Sequence, residues 1–195
     1  MLDKITAYST LALAITGALA LGFAYDQIRE SHHQAQIQHL VEAVHEFQYE
    51  DRFLSYRRTL AKARIDPKTD DSLIPLNPDN PPREMYELLD YFDYLGLLEK
   101  RGYLDKQDVW DQFGNYLFDF YADARPVIYE EQQQPGGKVT WDNLTQMMAD
   151  LERIDARNDH AQGGYTAQSD LRGFYDDELI VQPGEPLPQG KRKKK

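Results

Sequence analysis

Twenty consecutive residues, Ile5 to Ala24 (ITAYSTLALAITGALALGFA), carry no charge, and no other stretch of the chain resembles them. As a helix rising about 1.5 Å per residue, such a run is about 30 Å long, the thickness of a bilayer's hydrocarbon core. The run predicts a transmembrane helix over residues 5–25 behind a short N-terminus, residues 1–4. A cleaved signal peptide is the competing reading, with Ala18-Leu19-Ala20 as its small-x-small site. Against cleavage, Met1-Leu2-Asp3-Lys4 lacks a basic n-region, and the apolar run continues past the site. An apolar stripe of Ile28, Ala35, Ile37, Leu40, Val41, Val44 and Phe47 then carries the helical pattern on, giving a juxtamembrane amphipathic helix over 26–50.

Within the span, Thr10, Ala14, Ala18 and Gly22 recur every fourth residue and share one face. Small residues at that spacing let two helices approach closely, so this face is the candidate for homodimer packing through the span, with the stalk as an alternative. Lys4 lies on one side of the run and Arg29 on the other. Beyond Arg29, Arg52, Arg57, Arg58, Lys62 and Arg64 tilt the positive charge toward the C-terminal side, which favours a cell-membrane location with a cytoplasmic soluble domain.

The remaining chain reads as all-α, with a helical bundle expected over 51–157. Asp51 opens a helix running to about Ile65, with Phe53, Tyr56, Leu60 and Ala63 as its inner positions. Residues 67–82 hold five prolines and form a loop, pinned by Leu73, Ile74 and Leu76. From Arg83 to Arg101, Met85, Leu88, Leu89, Phe92, Leu95 and Leu98 hold one face, widened by Tyr91, Tyr94 and Leu97. Gly102 fits a C-terminal cap and Asp105 the N-cap of the next helix. There Val109, Phe113, Tyr116, Leu117, Phe120, Ala124, Val127 and Ile128 recur at helical spacing, with Pro126 expected to kink or end the helix. Thr140 is the expected cap of a last helix striped by Trp141, Leu144, Met148, Leu151 and Ile154. Residues 158–195 read as a mostly disordered tail, interrupted by an apolar docking island of Leu171, Phe174, Leu179, Ile180 and Val181.

The order single span, polar helix, Leu88-Leu89-Asp90-Tyr91-Phe92-Asp93-Tyr94-Leu95-Gly96-Leu97, then Arg101-Gly102-Tyr103-Leu104-Asp105, then an aromatic helix ending near Pro126 resembles a known group. It is similar to an uncharacterised family of small bacterial single-span membrane proteins with a helical soluble domain, catalogued as a domain of unknown function. The likeness runs from Leu88 to Ile128, with a weaker echo in residues 45–60. It implies the fold and transfers no activity.

Candidate chemistry is sparse. The chain has no cysteine, so thiolate metal sites and cysteine nucleophiles are excluded. Glu30-x-x-His33 and Glu42-x-x-His45 have the spacing used in di-iron bundles, but both sit on one helix and read as solvated surface pairs. Asp90, Asp93, Asp105, Asp108, Asp111, Asp119 and Asp123 read as a charged outer face. No phosphate loop, dinucleotide fingerprint or nucleophile elbow is present. No cofactor or metal is expected.

The formal net charge is -11, although the last five residues, Lys191, Arg192, Lys193, Lys194 and Lys195, are all basic. The acidic body argues against nucleic acid. The basic end suits an anionic lipid surface or an acidic protein partner. The expectation is a single-pass, non-enzymatic interaction or regulatory module with an unknown protein partner. A membrane-tethered hydrolase or metal enzyme is one alternative, and a periplasmic or secreted helical protein released by cleavage is the other.

Overall fold

The computed structural model describes residues 2–66, 73–162, 165 and 171–180, with residues 2–15, 18 and 159–162 described by backbone alone. The described residues are helical almost throughout: α1 (Leu2–Tyr49), α2 (Asp51–Arg64), α3 (Arg83–Lys100), α4 (Lys106–Gln133), α5 (Asp142–Gln162) and α6 (Leu171–Ile180). The chain divides into two compact units, residues 1–38 and 39–195. Among the described residues the extended pairing is a single antiparallel bridge between Ile65 and Leu73 in the second unit.

The first unit is a single helical stretch. The uncharged run 5–24 lies on it, with the side chains of 5–15 and 18 outside the described residues. Among the described residues no helix is long and apolar enough to cross a membrane. Leu21 and Phe23 are 75% and 74% exposed, and Leu19, Tyr25 and Ile28 are exposed as well.

In the second unit α3 is the central helix, packed on α2 and on α5, while α4 packs on α5 and α6. The apolar spacing of α3 and α4 translates directly into burial: Met85, Leu88, Leu89, Phe92 and Leu95 meet Val109, Phe113, Tyr116, Leu117 and Phe120 in one core. Residues 39–49 of α1 contribute to it as well. Phe47 is fully buried, its ring 4.9 Å from Tyr116, 5.3 Å from Phe92 and 5.7 Å from Tyr91. The Tyr91 hydroxyl donates to the Ala43 carbonyl at 2.8 Å, which satisfies a polar group inside that aromatic cluster.

Helix ends follow local chemistry. Gly102 takes φ +75°, and its N–H donates to Glu99 while that of Tyr103 donates to Leu98, which closes α3 in a Schellman motif. The Asp105 carboxylate accepts from the N–H groups of Gln107 and Asp108 and caps α4. Gly96 lies where α3 meets α5. A Cβ there would come within 2.6 Å of the Asn143 carbonyl oxygen, so only glycine permits this approach.

Two expected ends differ. α4 continues through Pro126 to Gln133. Pro126 and Ala122, whose carbonyl loses its intrahelical donor, both lie on the exposed face, within reach of solvent. Thr140 does not cap α5. Trp141 takes φ +52° before Asp142 opens the helix, and Asp93 reaches across from α3 to accept from the N–H of Leu144 at 2.9 Å and the Asn143 amide at 3.0 Å. The strained Trp141 is held by its indole N–H donating to Asp90 at 2.8 Å and by contact with the Tyr86 ring.

The largest correction lies near the C-terminus. Residues 171–180, expected as an island within a disordered tail, form α6 and pack on α2 and α4. Their apolar pattern misleads, since Tyr175 and Glu178 turn inward while Ile180 is 69% exposed. α5 also continues past 157 to Gln162. Residues 181–195, including Val181 and the basic end Lys191 to Lys195, lie outside the described residues.

Candidate functional site

α2 presents Phe53, Arg57, Leu60 and Arg64 at spacings of four, three and four, so one face of the helix carries two arginines between apolar residues. Both arginines are buried, Arg57 at 1% exposure. A buried guanidinium is tolerated only when its charge and its N–H groups find partners. Those partners come from α4, α6, the end of α1 and Ile74 in the loop after α2.

The Nε of Arg57 donates to Glu178 Oε2 at 2.6 Å, and its Nη1 donates to the Phe47 carbonyl at 3.1 Å. The guanidinium lies 4.8 Å from the centre of the Phe47 ring and 5.5 Å from that of Tyr116. Its Nη2 is buried without a hydrogen-bond acceptor among the described residues.

Arg64 grips Asp123 with two parallel bonds, Nε to Oδ2 at 3.0 Å and Nη2 to Oδ1 at 2.5 Å. Its Nη1 also donates to the Ile74 carbonyl, and the Ile74 N–H returns to the Arg64 carbonyl at 2.7 Å. This ties Ile74 to the end of α2, with Leu73 and Leu76 packed against the core. The Tyr175 hydroxyl of α6 completes the network by donating to Asp123 Oδ2 at 2.6 Å.

Electrostatics follow from burial. Glu178 is raised above the usual carboxylate value chiefly by burial, which outweighs the attraction and hydrogen bond of Arg57. Tyr116 and Tyr175 are both held well above 10.0 by burial, with the Asp123 charge and hydrogen bond adding to the shift at Tyr175. The two carboxylates are thus engaged by arginines and aimed inward. The arrangement pairs each buried guanidinium with a buried carboxylate, Glu178 of α6 for Arg57 and Asp123 of α4 for Arg64.

The residues singled out from sequence fall elsewhere or play other parts. Asp119 and Asp123, read together as outer-face carboxylates, differ: Asp123 is buried in the arginine network and Asp119 half-buried. Asp90 and Asp93 bind the start of α5 as described above. Glu42 pairs with His39 at 3.7 Å and the His45 ring stacks on Tyr49. Among the described residues no group of three or more His, Cys, Asp or Glu is placed to hold a metal ion.

Thr10, Ala14 and Ala18 lie on α1 with their side chains outside the described residues. Gly22 lies exposed on the same helix with open space around it. In the sequence Arg57 and Arg64 count only toward membrane orientation, and neither Tyr175 nor Glu178 is singled out. The usable signal was the 53-57-60-64 spacing, which places two arginines squarely on the apolar stripe of α2.

Nothing among curated proteins and nothing among solved structures matches the chain. The residues that build α2, α3 and α4, including Arg57, Arg64 and Asp123, all fall inside the stretch a family model recognises, whereas α6 lies beyond it. That model, described as Domain of unknown function (DUF4760), matches residues 7–151, and the chain belongs to this family.

Proposed function

We propose that this chain is a single-pass membrane-anchored module of the small bacterial single-span kind, whose helical domain lies in the cytoplasm and acts by binding another protein. The observation that carries the reading is the uncharged run Ile5 to Ala24, long enough as a helix to match about 30 Å of hydrocarbon. The exposure of Leu19, Leu21, Phe23, Tyr25 and Ile28 supports it, because contiguous large apolar side chains left uncovered by their own chain call for lipid or a partner. The face of Thr10, Ala14, Ala18 and Gly22 is suited to pairing two such spans. Lys191 to Lys195 add a second attachment, each basic residue contributing about 1 kcal/mol near an anionic leaflet.

Cell fractionation tests the anchoring. The full chain is expected in the membrane fraction, resistant to washing with high salt and urea, and released by mild detergent. Release by salt would leave only the basic tail as an attachment. Recovery from the soluble fraction with an N-terminus near Leu21 would replace the anchor with a cleaved signal.

A further inference from the structure

The groove between α2 and α4 is built by residues of the family domain, yet its occupant is a ten-residue helix that the family model does not cover. Helices shorter than about 12–15 residues are marginal in water, so α6 owes its helical form to docking. Its grip is concentrated in a few places. The Phe174 ring stands 5.0 Å from that of Tyr116, Tyr175 donates to Asp123, Glu178 accepts from Arg57, and Arg172 reaches the Asp66 carbonyl at 3.5 Å. Its remaining face, with Asp176, Asp177 and Ile180, is exposed.

The two arginines of the groove are not equivalent. Arg64 takes its carboxylate from Asp123, a residue of α4 inside the family domain. Arg57 takes its carboxylate from α6, and its Nη2 already lacks an acceptor. A surface that sets the Tyr116 ring beside a buried arginine whose counter-charge comes from the occupant is selective for an acidic amphipathic helix.

We propose that the α2/α4 groove is a receptor for a partner helix bearing an aromatic residue and a carboxylate three positions later, the spacing of Tyr175 and Glu178. α6 occupies that receptor from within the chain and competes with the partner. This names the partner class for the interaction module proposed above and rests on that reading. It can be measured on detergent-solubilised protein, so its failure leaves the membrane anchoring standing.

The test uses a fluorescent peptide of residues 171–180 and the full chain, either unaltered or carrying Glu178→Lys. Charge reversal sets a lysine against Arg57 and frees the groove. The peptide is expected to bind the Glu178→Lys chain at least about tenfold more tightly than the unaltered chain, where the tethered α6 is present at high effective concentration. A peptide carrying Glu178→Ala should bind the same chain about tenfold more weakly than the native peptide, reporting the Arg57 contact. Equal binding of the native peptide to both chains, or none to a folded Glu178→Lys chain, overturns the proposal.

Should charge reversal unfold the domain, hydrogen exchange on the unaltered full chain decides. A competing α6 must open apart from the core, so its amides should exchange at least about tenfold faster than those of α3 and α4. Protection of α6 equal to that of α4 would mean that it leaves only when everything unfolds, which overturns the proposal.

Discussion

Replacing Asp123 with alanine is expected to cost the full chain, unfolded by urea in mild detergent, about 3–5 kcal/mol. The change removes the partner of both guanidinium bonds from Arg64 and the acceptor of the Tyr175 hydroxyl, in a place where all three side chains are buried. The large term is the charge left behind on Arg64, which the low-dielectric interior cannot solvate. Against a typical total stability of about 5–15 kcal/mol, such a loss is a large share of what holds the domain together. Replacing the pair together, with Asp123→Leu and Arg64→Met, should restore much of the stability, because removing both charges removes the desolvation cost as well. A loss below about 1 kcal/mol for Asp123→Ala would match an ion pair screened by water instead of a buried one.

High pH should destabilise the fold steeply. Tyr91, Tyr116 and Tyr175 are each raised well above 10.0 in the folded chain, in every case mainly by burial. Tyr86, more open to solvent, is raised to about 12 by burial and by its hydrogen bond to Glu131. The unfolded chain ionises all of these near 10.0, whereas the folded chain must keep them protonated. Their contribution is therefore fully present below pH 10 and is lost as pH rises toward the folded values. Each fully shifted tyrosine removes about 1.4 kcal/mol per pH unit in that window, so the three deeply buried ones together remove about 4 kcal/mol per unit. Tyrosinate absorbance and helix signal recorded on one sample give the check. Tyr91 and Tyr116 should ionise only with loss of the core helices, and Tyr175 with the release of α6. Ionisation of Tyr91, Tyr116 and Tyr175 near 10 with the helix signal unchanged would contradict the burial described here.

The helical framework was legible because α3, α4 and α5 bury apolar residues at regular spacing, and because Gly102 and Asp105 end and start helices by purely local chemistry. The cap of α5 was not legible, since the carboxylate that satisfies Leu144 is Asp93, about fifty positions earlier on another helix. The site was hidden for a similar reason. An arginine scores as a surface residue, and its burial depends on carboxylates at Asp123 and Glu178 that only the fold brings near. On α2 the expected inner positions included Tyr56 and Ala63, yet Ala63 is exposed and the helix turns Arg57, Ala61 and Arg64 inward. α6 was obscured by its flanks, with Gly163-Gly164 before it and the proline-rich 182–189 after it. Only two of its ten residues are buried, and one of them is a glutamate.

The measurement that bears most directly on the functional reading is cysteine accessibility in intact cells. The native chain has no cysteine, and Ser31 and Ser55 are both exposed, so Ser31→Cys and Ser55→Cys each provide a single reporter. A membrane-anchored cytoplasmic module predicts full-length protein in the membrane fraction, with both cysteines shielded from an impermeant thiol reagent until the cells are opened. Labelling of either cysteine in intact cells would put the helical domain on the far side of the membrane and contradict the account.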